Sequence, residues 1–165
     1  MLRSAWLRFR ILPTLLAWYL AMGLLLRAAL WWSFGRPAGV SDVAFAGTLA
    51  AGIAADTVQA LYLLAPFALL AWLTPDRWFR TRGMRVATLT LATLFVFQLG
   101  FLAVAEYFFF EEFDSRLNLV SVDYLMYPTE VVGDIWSEYP VIPVVLATAL
   151  LAAATVYALR RPLLA

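Results

Sequence analysis

The chain has 165 residues, 64% of them hydrophobic and 14% charged, with a mean hydropathy of +0.83. Soluble domains carry about 25% charged residues, so this composition excludes an ordinary globular monomer. Its 12 basic residues, all Arg, face 11 acidic ones, and Cys and His are absent. That leaves no basic surplus for nucleic acid, no thiolate or imidazole metal ligand, and no His-dependent triad.

The first apolar segment, residues 11–32, is interrupted only by Arg27 and reaches about 33 Å as a helix, enough to span a bilayer. Arg3, Arg8 and Arg10 precede it like a signal-peptide n-region, but its length and the apolar segments that follow predict a retained signal-anchor. The second segment, 46–73, would be about 42 Å long and must tilt, bend or overhang. Pro66 lies within it as a candidate kink. Segments 86–110 and 141–159 are also long enough to span. Pro75, Pro140 and Pro162 fall near segment ends, as helix boundaries often do. The expectation is an all-α membrane protein with four transmembrane helices in a single domain. An amphipathic interfacial segment, 111–140, separates the third and fourth.

Cytoplasmic loops retain basic residues. An inside N-terminus places Arg3, Arg8, Arg10, Arg77, Arg80, Arg82, Arg85, Arg160 and Arg161 on one side and only Arg36 and Arg116 on the other. Both termini are therefore expected in the cytoplasm and 111–140 outside. That segment carries seven carboxylates against Arg116 alone.

Within the apolar segments lie Arg27, Asp56, Gln59 and Gln98. A charge at the centre of a membrane helix costs roughly 2.5–3.5 kcal/mol on insertion scales, so each needs a partner or a wet cavity. The depths of Arg27 and Asp56 overlap, which predicts an intramembrane pair. It would serve as an interhelical clamp or as the wall of an outward polar cavity for a lipid headgroup. Gly47, Ala51 and Ala55 form a small-residue stripe, expected to pack within the bundle. The aromatics Trp6, Trp18, Tyr19, Trp31, Trp32, Trp72 and Trp78 are expected mostly in interfacial belts.

Between helices three and four, Ser121 is a candidate helix cap and Pro128 a candidate first helical residue. From there Val131, Val132, Ile135, Trp136 and Tyr139 gather on one face and Glu130, Asp134 and Glu138 on another. An acidic polar face disfavours anchoring to anionic lipid and suits a protein domain, a cation or donor groups on a substrate. Neither catalytic residues nor a metal or other cofactor is predicted for the chain itself.

The run FDSRLNLVSVDYLMYPTEVVGDIWSEYP, residues 113–140, resembles the N-terminal membrane region of bacterial lipoteichoic-acid-synthase-like sulfatases. These are phosphoglycerol transferases of the alkaline phosphatase superfamily. The resemblance implies a multi-pass anchor in the bacterial cytoplasmic (inner) membrane, serving a large extracytoplasmic catalytic domain that holds a divalent metal and a Thr nucleophile. None of that domain's motifs occurs here, and family members have five membrane helices before it. The expectation is therefore a membrane-anchoring, lipid-presenting module without its catalytic domain, either a fragment or a split product. Its partners would be membrane lipid and that domain, with no nucleic acid. Asn118, Asp123, Tyr124, Tyr127 and Glu130 are its candidate substrate- or domain-contacting residues. The alternatives are a self-contained membrane protein acting as an assembly partner or transporter, and an intramembrane enzyme using Asp56 or Glu106.

Overall fold

A computed structural model of the chain describes residues 9–79, 81–117 and 128–164; the side chains of Asp76 and Pro128 are outside that description. Four helices are long and apolar enough to cross a membrane, and no strand occurs among the described residues. Helix α1 (Ile11–Leu30) continues through a π-helical turn, Trp31–Gly35. Helix α2 spans Asp42–Leu73, a short α3 spans Asp76–Phe79, and α4 spans Arg82–Phe113. A surface helix, α5 (Pro128–Glu138), precedes α6 (Val141–Leu164). The chain is an all-α membrane protein.

Local chemistry sets the ends. Ser41 accepts a hydrogen bond from the Ala44 amide at 3.3 Å, and Thr81 accepts one from Met84 at 3.2 Å; each satisfies an otherwise orphaned amide of a first turn. Asp42 adds a negative charge at the positive end of the α2 dipole. These caps carry α2 and α4 four residues upstream of the apolar segments expected at 46–73 and 86–110. Pro128 does open α5, and α2 runs uninterrupted through Pro66. Pro162, in contrast, does not end the last helix: it sits inside α6, which continues to Leu164 rather than 159.

Helix α1 packs against α2, α4 and α6, while α4 and α6 form the second close pair. The packed stripes repeat every four residues: Gly52, Asp56, Ala60 and Leu64 on α2; Thr88, Ala92 and Val96 on α4; Thr148, Ala152 and Val156 on α6. Small side chains occupy the centre and large ones face out: Ala152 is 2% exposed and Leu150 71%. In water such a surface would be an aggregation hazard. In lipid it needs no protein cover, and small residues let the helix backbones approach.

The stripe expected from Gly47, Ala51 and Ala55 is not the packed one. All three are exposed, and a Cβ on Gly47 would meet nothing within 4 Å. The buried face lies one residue, about 100° of helix rotation, further on.

Ile11 and Leu15 near the start of α1 share a cluster with Leu163 near the end of α6, so both lie at one end of the bundle. Arg10, Arg77, Arg82, Arg85, Arg160 and Arg161 belong to that arginine-rich end, while Glu111, Glu112 and Asp114 close α4 at the opposite, acidic end. There Trp31 stacks on Phe45 with centroids 4.5 Å apart, tying α1 to α2. Phe34 meets Tyr107 and Phe110, and the Tyr107 hydroxyl bonds Ser33 at 3.0 Å, tying α1 to α4.

Candidate functional site: an ion-paired cleft inside the bundle

Arg27 sits on α1 about 24 Å from Ile11, and Asp56 on α2 about 26 Å from Leu73, counted at 1.5 Å per residue. The two helices are antiparallel neighbours, so these heights coincide. Arg27 donates through Nη1 to Asp56 Oδ2 at 2.5 Å and through Nη2 to Oδ1 at 2.9 Å. The geometry is a two-pronged guanidinium–carboxylate fork. Both side chains are nearly buried. The pair expected from depth alone is present, and it borders a cavity as well as joining two helices.

Two glycines make the pair possible. Gly23 lies four residues before Arg27, and Gly52 four residues before Asp56. A Cβ built on Gly23 would run into the Asp56 carboxylate, and one on Gly52 into the Arg27 guanidinium. Each helix thus offers a bare backbone patch to the charged side chain of the other.

A cleft of about 440 Å³ opens beside the pair. Tyr19, Gly23 and Arg27 of α1 form its back, Asp56 and Gln59 of α2 one wall, and Leu99, Leu102, Ala103 and Glu106 of α4 the other. Arg116 and Leu117, beyond α4, line it too. They reach it because Asp114 adopts the left-handed conformation, φ 51°, with its amide bonded to Phe110 O at 2.9 Å. That turn ends α4 and folds the chain back, so that Arg116 pairs with Glu106 ten residues earlier. The cleft therefore holds two ion pairs. One is deep and closed; the other lies towards the acidic end, with Arg116 about half-exposed.

The Tyr19 hydroxyl and the Gln59 amide have no hydrogen-bond partner among the described residues. At membrane depth an unpaired polar group is unfavourable unless a cavity supplies water or a polar occupant. The belt expectation therefore fails for Tyr19, whose ring lines this cleft, and Trp18 beside it packs on the core. Trp32 keeps an exposed, end-of-span position and holds Arg36 over its ring at 4.8 Å. Gln98 is exposed on α4, away from the cleft lining.

Among the other predicted contact residues, Asn118, Asp123, Tyr124 and Tyr127 lie outside the described residues, as does Ser121. Glu130 is exposed on α5. Val132, Ile135 and Trp136 of that helix are also exposed, while Val131 is half-buried. Tyr139, just beyond α5, packs on Phe108 with centroids 5.2 Å apart. Burial first, then Glu112, Glu111 and Glu138, push its phenol above the ordinary value. Among the described residues no group of three carboxylates converges as a metal site. Sequence reasoning missed three features: Glu106 paired with Arg116, Tyr19 in the cleft, and the glycine pair. Comparison with protein families, with curated proteins and with solved structures finds no match for this chain.

Proposed function

We propose that this chain is a lipid-presenting membrane module: it holds a phospholipid headgroup in the cleft for chemistry performed on the acidic side of the membrane. The observation that carries this reading is a polar cleft with an ion-paired floor, Arg27 and Asp56, and with Tyr19 and Gln59, which have no hydrogen-bond partner among the described residues, set among apolar walls. Pockets for small ligands have this make-up: mostly apolar, with a few converging polar groups, and about 300–1,000 Å³ in volume. By the arginine distribution the acidic end is extracytoplasmic and both termini are cytoplasmic. The resemblance of residues 113–140 to sulfatase-like phosphoglycerol transferases supplies the candidate partner, an extracytoplasmic catalytic domain that in that family carries the metal and the nucleophile. The membrane would then be the bacterial cytoplasmic one. The module's contribution to catalysis is positioning, which alone lowers barriers by pre-ordering the reactants.

A cleft-filling variant tests this reading. The purified chain, washed in detergent, is expected to retain bound phospholipid, and Ala103→Trp, which puts an indole into the cleft, is expected to release it. Equal retention by the two proteins would refute headgroup binding in the cleft.

A second reading, a self-contained membrane protein acting as an assembly partner, draws on α5. Its exposed apolar residues Val132, Ile135 and Trp136 beside an acidic face would then be a docking surface.

A further inference from the structure

We infer that α4 carries the surface through which two copies of this chain associate in the membrane, the Gln98 amide of one copy hydrogen-bonded to that of the other. Gln98 lies near the middle of the 32-residue helix, about 24 Å from Arg82 and about 22 Å from Phe113 at 1.5 Å per residue. A hydrocarbon core about 30 Å thick leaves it close to the midplane. Gln98 is exposed, lies outside the cleft lining, and has no hydrogen-bond partner among the described residues. At that depth lipid offers the amide neither donor nor acceptor. Its desolvation stays uncompensated until another polar group reaches it.

The residues before it form a seam. Ala87, Leu91, Leu94 and Gln98 are all exposed and follow at intervals of four, three and four, the 3.5-residue repeat with which one helix packs along another at a shallow crossing. This seam turns away from the neighbours α4 already has. Ala92 and Val96 belong to the bundle core, Gly100 approaches Thr148 of α6, and Phe95 meets Phe67 of α2 with ring centroids 5.2 Å apart. A single polar residue in an otherwise apolar seam fixes register and copy number. Two arguments choose a second copy as the occupant. Every copy inserts with the same orientation, so each brings its Gln98 to the same depth. A carboxamide is also its own complement, with N–H donors and a carbonyl acceptor. Across a two-fold axis along the membrane normal each amide therefore donates to the other, whereas a charged side chain at this place would repel its own image.

The sequence contains no Cys, so oxidative cross-linking of the full chain in cell membranes tests the seam. Leu94→Cys, one turn from Gln98, is expected to give a disulfide-linked dimer. Leu150→Cys, on α6 and 71% exposed, is expected to stay monomeric. Gln98→Leu suits a lipid-facing position and removes no contact within the bundle. Sedimentation over a dilution series in detergent is expected to show its dimer weakened roughly tenfold, the worth of an amide hydrogen bond between membrane helices. Gln98→Asn keeps a carboxamide and is expected to recover part of that loss. Four results would each overturn the inference: Leu94→Cys linked only to a different protein, equal cross-linking at Leu94 and Leu150, a monomer at every concentration, or an equally tight dimer in Gln98→Leu. None of them bears on headgroup binding in the cleft, which the Ala103→Trp variant tests separately.

Discussion

Gly23 and Gly52 decide whether two charges can be buried at all. In an ordinary helix, replacing Gly by Ala favours the helix by up to about 1 kcal/mol, because the flexible unfolded backbone is restricted. Gly47 is such a position, exposed with open space around it, and Gly47→Ala is expected to stabilise the chain. At Gly52 the same methyl group occupies the place of the Arg27 guanidinium. Breaking a buried pair costs about 3–5 kcal/mol, so Gly52→Ala is expected to destabilise by about 3 kcal/mol after its helix-propensity gain. Reversible unfolding in mixed micelles measures both; shifts of the same sign would show that Gly52 makes no room for Arg27. The Arg27–Asp56 pair was legible in the sequence because a charge in an apolar helix demands a partner at its own depth. The pairing of Glu106 with Arg116 was not, since Glu106 lies near a helix end, where charges are common. Its partner arrives only through the left-handed turn at Asp114.

Element by element, the spans were legible from hydropathy and the packed faces were not. Helix α2 is rich in Ala all round, so Gly47, Ala51 and Ala55 look as suitable for packing as Gly52 and Ala60. The usable signal was Asp56, which drags its own face inward. The start of α5 was legible because Pro128 lacks an amide hydrogen and has a helix-ready φ. The occupant of its apolar face is a separate matter. If α5 lies on the bilayer, a spin label at Val132→Cys is expected to relax with lipid-soluble oxygen, and one at Asp134→Cys, on the other side of the helix, with an aqueous nickel complex. Aqueous behaviour at both sites would instead favour the docking role.

For the whole molecule, segregation of charge replaces net charge as the informative quantity. The total of 12 basic and 11 acidic residues hides an arginine-rich end and an acidic end, and that separation predicts orientation. Gly133 on α5 and Gly83 at the start of α4 are both exposed with no atom near a built Cβ, and no native Cys competes. In intact cells Gly133→Cys is expected to react with a membrane-impermeant maleimide and Gly83→Cys only after permeabilisation. The reverse pattern would invert the topology and move the cleft mouth to the cytoplasmic side.

The pairing of Arg27 with Asp56 also bears on biosynthesis. As α1 emerges it carries a guanidinium whose insertion alone is unfavourable by roughly 2.5–3.5 kcal/mol, and α2 carries a carboxylate with a similar penalty. Only the short stretch of residues 36–41 separates the two helices. Partitioning of the first helix into lipid is thus best served by waiting for the second, with both leaving the translocation machinery as one neutral hairpin. A chain cut after Gly35 is expected to integrate less efficiently than one cut after Leu73, and Arg27→Leu is expected to remove most of that difference in a glycosylation-mapped insertion assay. Equal integration of the two unaltered truncations would mean that α1 enters the bilayer alone and finds its counterion afterwards.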